Sequence, residues 1–134
     1  MSFYTSSNSN DNNISINENC AVSVVVPAFN ESESLEELLP RLKNELDGIK
    51  HEVLVIDDGS TDGTVELIRE KTKVDSDLKL LILRRNLGKS MALAVGFECA
   101  RYPIVVTLDA DLQDRPEDIK ILIEKLNEGY DLVS

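Results

Sequence analysis

The sequence predicts an α/β fold: an open, mostly parallel, Rossmann-like sheet with helices on both faces. Three observations carry this. Strand-like and helix-like segments alternate four times after residue 20. The strand-like segments, such as VSVVV at 22–26 and IVVTL at 104–108, are near-continuous apolar runs, as parallel strands covered on both faces should be. Each run also ends in a loop rich in chemically capable side chains: PAFNES, DDGSTDGT, RRNLGKS and DADLQD. In open α/β sheets, ligands bind beyond the carboxyl ends of the strands.

Taken in order, residues 1–20 are rich in Ser and Asn without periodicity, and are expected to form a disordered tail. Val22–Val26 is the first strand of the alternation, stopped by Pro27. Ser32 or Ser34 can cap a helix whose apolar face is Leu35, Leu38, Leu39, Leu42 and Leu46. Pro40 should kink or break it, and Gly48 ends it. Glu52–Ile56 is the second strand, and Val65, Leu67 and Ile68 open a short helix that fades near Thr72. Leu78–Leu83 is the third strand. Ser90–Arg101 reads as a mostly apolar helix, which makes Cys99 a core residue, and Pro103 stops it. Ile104–Leu108 is the fourth strand. Pro116 suits a first helical turn, with Ile119, Leu122, Ile123 and Leu126 following at helical spacing. Gly129 closes that helix, and Asp131–Ser134 reads as the start of a fifth strand.

The chain has 134 residues, enough for one domain with a real core. Its net charge of −11 argues against a generic nucleic-acid binder, which would show a basic face. Two cysteines make no disulfide framework, and no apolar run approaches the ~18 residues of a membrane span. The expected location is cytoplasmic, or the cytoplasmic face of a membrane in a full-length form.

The fourth loop carries Asp109, Asp111, Gln113 and Asp114. Like charges about 5 Å apart repel by about 0.8 kcal/mol in water and by several kcal/mol at an effective dielectric near 20. A buried strand that ends in such a cluster calls for a positive partner. Close oxygen ligands suit a hard divalent cation, Mg2+ or Mn2+, which also takes phosphate oxygens. D-x-D alone is weak, because paired Asp residues are common on loops. In the third loop, Arg84, Arg85 and Lys89 cluster beside Gly88 and a helix N-terminus, a natural anion site, although solvated surface charge would explain them too. In the second, Asp57 or Asp58 could accept hydrogen bonds from a base or ribose, while Asp62 suits a helix cap. In the first, Asn30 and Glu31 offer polar groups, or simply cap a helix.

Other motifs fail. GKS at 88–90 lacks the first glycine of a P-loop, where Leu83 stands, and there is no G-x-G-x-x-G. Asp58, Ser60, Asp62 and Gly63 resemble the start of a Ca2+ loop, but Arg69 holds the place of its closing Glu. His51 has no Ser or Cys partner in view and reads as a strand-edge residue; Tyr102 and Tyr130 read as packing residues.

In order, VVVPAFNES, VIDDGSTDGT, RRNLGKSMALAVGF and TLDADLQDRPEDI closely resemble the family 2 glycosyltransferases of the GT-A fold. The resemblance spans about Val22–Ser134, and is best to the branch that transfers sugars to polyprenyl phosphates, the dolichol-phosphate mannose synthase and bactoprenol glucosyltransferase type. It implies a GT-A nucleotide-diphospho-sugar-binding domain over 21–134, incomplete at its C-terminus, and a UDP- or GDP-sugar donor. By this resemblance, Pro27, Ala28, Asn30 and Glu31 line the nucleotide, and Asp58, with Asp57 beside it, meets the base. Asp109, Asp111 and Gln113 form the metal and diphosphate motif, with Asp111 the most direct ligand. Arg85 and Lys89 would cover the donor phosphates or meet the acceptor phosphate.

The implied reaction is attack by an acceptor oxygen on the anomeric carbon, with the nucleoside diphosphate leaving. A phosphate monoester acceptor needs no general base, since its second pKa is about 6. Family members continue well beyond this length with an acceptor-binding half and a membrane-associated portion. The 134 residues alone are therefore expected to be inactive in transfer and, with an open sheet edge, to self-associate. A non-catalytic nucleotide-sugar-binding module is the alternative. A nucleotidyltransferase fits less well, because PAFNES is not its glycine- and basic-rich loop.

Overall fold

A computed structural model describes residues 1–5 and 21–127. Its elements are β1 (Ser2–Thr5), β2 (Val22–Ala28), α1 (Ser32–Glu45), β3 (His51–Asp57), α2 (Thr64–Thr72), β4 (Leu78–Ile82), α3 (Lys89–Cys99), β5 (Ile104–Thr107) and α4 (Asp118–Asn127). The expected fifth strand at 131–134 and the Gly129 helix end lie outside the described residues.

The sheet order is β1-β5-β2-β3-β4. Strands β5, β2, β3 and β4 run parallel, and β1 is antiparallel to β5. Val24 sits at the centre, level with Val53 on one side and Val106 on the other. Alternating residues face opposite sides. Val22, Val24, Val26, Val53, Val55 and Val106 join Leu35, Leu38 and Leu42 of α1, Ile68 of α2 and Ile119 and Ile123 of α4 in one core. Val25, Leu54, Ile56 and Val105 point the other way, against Ala92, Leu93 and Val95 of α3. This division follows from handedness. The chain winds outward from β2 to β4, then returns through α3 to β5 on the far side of β2. Right-handed crossovers in opposite directions put their helices on opposite faces. The turnaround leaves a crevice beyond the carboxyl ends of β2 and β5, the usual ligand position in such sheets.

Three local expectations need correction. The tail is not wholly without structure: Ser2–Thr5 pairs with Ile104–Thr107. Strand β5 offers a hydrogen-bonding edge, Phe3 packs against the core, and the Met1 ammonium donates to Asp114 Oδ1 at 2.7 Å. Residues 6–20 are outside the described part. Pro40 does not interrupt α1. It is exposed, as is Glu36, whose carbonyl would otherwise accept from residue 40, so water can satisfy that carbonyl. Cys99 is exposed rather than in the core. Helix α3 buries only Ala92 and Gly96 fully, and its outer side keeps Met91, Phe97 and Cys99 in solvent.

Candidate donor-binding site

The crevice holds a cleft of about 520 Å3, within the range of small-molecule sites. Its walls come from every loop singled out by the sequence. Pro27 and Ala28 end β2, Phe29 and Glu31 follow it, and Asp58 follows β3. Asn86, Gly88 and Lys89 lead into α3, and Asp109, Ala110, Asp111 and Gln113 follow β5. Of the candidate residues, Asn30, Asp57 and Arg85 do not line it. Phe29, Asn86 and Ala110 line it without having been singled out. Phe29 had a signal: it is a large apolar residue at a strand's carboxyl end, and it is 43% exposed.

Asn30 acts on the loops instead. With φ at +53°, it occupies the left-handed region that Asn tolerates. Its Oδ1 accepts from the Thr61 and Asp62 N–H groups at 2.8 and 3.2 Å, and its own N–H donates to Ser60 Oγ at 2.9 Å. The first and second loops are thereby bound together. Capping of α1 also comes from across this junction. The Glu31 N–H donates to Thr64 Oγ1 at 3.2 Å and the Ser32 N–H to Asp62 Oδ2 at 3.4 Å, where the sequence suggested Ser32 or Ser34. Asp62 caps α2 from just outside the helix, accepting from the Thr64 N–H at 2.9 Å and from its hydroxyl. Those bonds, the Thr64 hydroxyl first, hold its carboxyl below the usual carboxylate range.

Asp57 and Asp58 divide their labour. Asp57 is 1% exposed and closes a turn, accepting from the Ser60 N–H at 3.1 Å, while its Oδ1 is buried with no partner among the described residues. Asp58 lines the cleft, and both its oxygens hold the third loop: Oδ1 accepts from the Leu87 N–H at 2.7 Å and Oδ2 from the Gly88 N–H at 3.0 Å. The two loops touch so closely that a Cβ on Gly59 would lie 2.8 Å from the Asn86 nitrogen. Gly88, the residue before α3, has φ +95° and ψ 159°, a conformation essentially confined to glycine. Asp58 and Gly88 thus fix where α3 begins, and with it Lys89, its first residue.

The fourth loop is built for display. Asp114 does not join the open carboxylates. It accepts from the Asp109 N–H at 3.0 Å and from the Met1 ammonium, closing the loop behind the cleft. Burial raises its pKa, but the ammonium and the Asp109 N–H outweigh that and hold it low. Leu112 has φ +66°, costly for such a side chain at about 1–3 kcal/mol, and packs against the core. Asp109 and the exposed Asp111 precede this reversal. Among the described residues Asp111 Oδ1 accepts only from the Gln113 N–H, at 3.2 Å, and Asp109 Oδ1 pairs with Lys89 Nζ.

Among the described residues, no three His, Cys, Asp or Glu side chains converge into a ready-made metal cage. The donor set still fits a hard divalent cation of the Mg2+ or Mn2+ kind. Such ions are commonly held by one or two carboxylates, with water and substrate phosphates completing the shell. Two carboxylates and the Gln113 amide line one cleft, and an ammonium group already rests on Asp109.

The chain belongs to glycosyl transferase family 2, whose model matches residues 23–134. Among curated relatives, undecaprenyl-phosphate 4-deoxy-4-formamido-L-arabinose transferase of Aeromonas hydrophila subsp. hydrophila is 48% identical over 115 residues, 84% of this chain and 35% of the relative. The chain therefore spans about a third of the curated relatives it matches. Among solved structures, the mannosyltransferase PcManGT of Pyrobaculum calidifontis, in complex with GDP-Man and Mn2+, is similar at TM-score 0.69 and 34% identity, over 82% of this chain and 32% of that one. S. aureus TarS 1-349 in complex with UDP-GlcNAc is similar at 0.63 and 32%, over 81% of this chain and 31% of that one.

Proposed function

We propose that these residues form the donor-binding part of a glycosyltransferase that moves a sugar from a nucleotide-diphospho-sugar to a polyprenyl phosphate. The observation that carries this is the convergence of Asp58, Lys89, Asp109, Asp111 and Gln113 on one cleft at the sheet's switch point. The polyprenyl phosphate acceptor is supported by the name of the 48% identical relative, and the UDP- or GDP-sugar donor by the ligands of the solved neighbours.

In this reading Pro27 and Ala28 form the floor under the nucleotide, and Phe29 offers an aromatic face to it. Asp58 keeps lone pairs free beside its two backbone bonds and can accept from the base. Asp111, Asp109 and Gln113 would hold a divalent cation, Mg2+ or Mn2+; the similar mannosyltransferase was solved with Mn2+. When bound, that cation would neutralise charge developing on the leaving diphosphate. Lys89, at the N-terminus of α3, adds a positive charge on the same side, and Arg85 stands in the same loop. The acceptor phosphate oxygen attacks the anomeric carbon as the sugar's bond to the diphosphate breaks. Because a phosphate monoester is largely ionised at neutral pH, the site needs no general base for such an acceptor.

No helix among the described residues is long and apolar enough to cross a membrane, while a polyprenyl phosphate lies in one. A full-length form acting on such an acceptor would work at the cytoplasmic membrane face. The reading also retains self-association, since Met91 and Phe97 on α3 are exposed and β4 is an open edge of the described sheet. A thermal-shift panel of UDP, GDP, CDP and dTDP, each with and without Mn2+, tests the donor reading. One nucleoside diphosphate should stabilise the chain only with Mn2+ present; no stabilisation by any of them would refute it.

A further inference from the structure

The structure already contains a cation on the carboxylate loop: Lys89 Nζ lies against Asp109 Oδ1. We infer that Lys89 is the internal counter-ion of the donor site, holding Asp109 while no metal is bound and giving way when a divalent cation arrives. The inference rests on the metal reading above and adds to it a competition within the chain.

Three features make Lys89 displaceable without disturbing the fold. The pair is half in water, with the two side chains 60% and 36% exposed, so it is weak. The Lys89 backbone is fixed independently of its ammonium, because Asp58 holds the Leu87 and Gly88 N–H groups just before it. The ammonium itself is a compact charge on a flexible four-carbon stem, able to move several ångströms from a fixed Cα. The pairing relieves repulsion among Asp109, Asp111 and Asp114 in an otherwise acidic chain. Once displaced, the ammonium stays inside the cleft, at a helix N-terminus where a diphosphate would be received. The same side chain thus opposes a bare metal ion and favours a metal carrying a nucleoside diphosphate. That biases the site against taking up metal without donor.

The test is Mn2+ binding to the 134-residue chain, read by calorimetry and by the EPR signal of free Mn2+, without any turnover. Lys89→Met should bind Mn2+ alone about two- to fivefold more tightly, the upper range for an exposed ion pair. It should bind the preferred nucleoside diphosphate with Mn2+ more weakly than wild type. Lys89→Arg, which keeps the pair, should match wild type for Mn2+ alone. Arg84→Met removes the same charge from the same loop; Arg84 is exposed and has no partner among the described residues. It should shift Mn2+ affinity less than twofold. An equal gain in Arg84→Met would show a general field effect and overturn the inference, as would no gain in Lys89→Met. If wild type binds Mn2+ and Asp111→Asn does not, the metal reading stands whatever Lys89 does. If neither wild type nor Lys89→Met binds Mn2+ alone, the inference falls, and the metal reading falls with it only if the preferred nucleoside diphosphate brings no Mn2+ into the site either.

Discussion

Two groups of carboxylates sit at opposite ends of the same parallel sheet. At the amino end, Glu52 is 2% exposed and enclosed by partners. Its Oε2 accepts from Ser23 Oγ and from the Arg101 N–H, both at 2.6 Å, and its Oε1 accepts from Lys79 Nζ at 3.0 Å. Ser23 Oγ in turn accepts from the Tyr102 N–H at 3.1 Å. The network ties β2, β3, β4 and the turn after α3. At the carboxyl end, the Asp109 and Asp111 side chains have one partner each among the described residues and face a cleft. A buried carboxylate whose acceptors are used up inside the protein is a structural tie. One whose acceptors are left over at a strand's carboxyl end is a receptor. Residue type does not separate the two; position on the sheet does.

The largest effect that could break this comparison is at Glu52. Glu52→Ala leaves the Ser23, Lys79 and Arg101 donors without their acceptor and should cost about 2–3 kcal/mol in urea unfolding, with nucleotide binding retained in the folded fraction. Lost binding with intact stability would erase the distinction. Burial raises the Glu52 pKa, but the Arg101, Ser23 and Lys79 contacts outweigh it and leave the carboxyl lower than usual. A carboxyl lowered in the folded state stabilises above its unfolded pKa, and that contribution is lost as pH falls through the folded value. Stability should therefore decline in acid below about pH 4.5, and the decline should be shallower in Glu52→Gln.

Asp58 sharpens the comparison, because it belongs to both classes. Asp58→Ala should cost about 1–2 kcal/mol through the freed Leu87 and Gly88 N–H groups and also weaken nucleotide binding as the start of α3 loosens. Urea unfolding and calorimetry measure the two parts, and an effect on only one would assign Asp58 wholly to structure or wholly to the ligand. Asp62 gives the smallest shift. Asp62→Ala should cost about 1 kcal/mol as a lost cap, with binding nearly intact by the same measurements.

Much of this was legible because it is local or periodic. The four parallel strands announce themselves as apolar runs, and the chemistry sits where each run ends. Strand β1 was not legible: its partner is about a hundred residues away, and Phe3 and Tyr4 are a faint signal within a Ser- and Asn-rich stretch. Helix α3 is apolar nearly all round, so its periodicity could not show that Cys99 faces out. Asn30 matches a nucleotide-lining motif by position, while its Oδ1 holds the Thr61 and Asp62 N–H groups of the neighbouring loop. Glu52 went unremarked as a strand residue; its register opposite Ser23 becomes visible only once β2 and β3 pair.

The central claim is that the cleft-facing carboxylates after β5 take a divalent cation together with a nucleoside diphosphate. Calorimetry of wild type and Asp111→Asn tests it most directly, using the preferred nucleoside diphosphate with and without Mn2+. The account predicts binding by wild type that requires Mn2+ and is weakened at least about tenfold in Asp111→Asn, or about 1.4 kcal/mol, with stability within about 0.5 kcal/mol of wild type as befits an exposed side chain. Undiminished Mn2+-dependent binding by Asp111→Asn would contradict it.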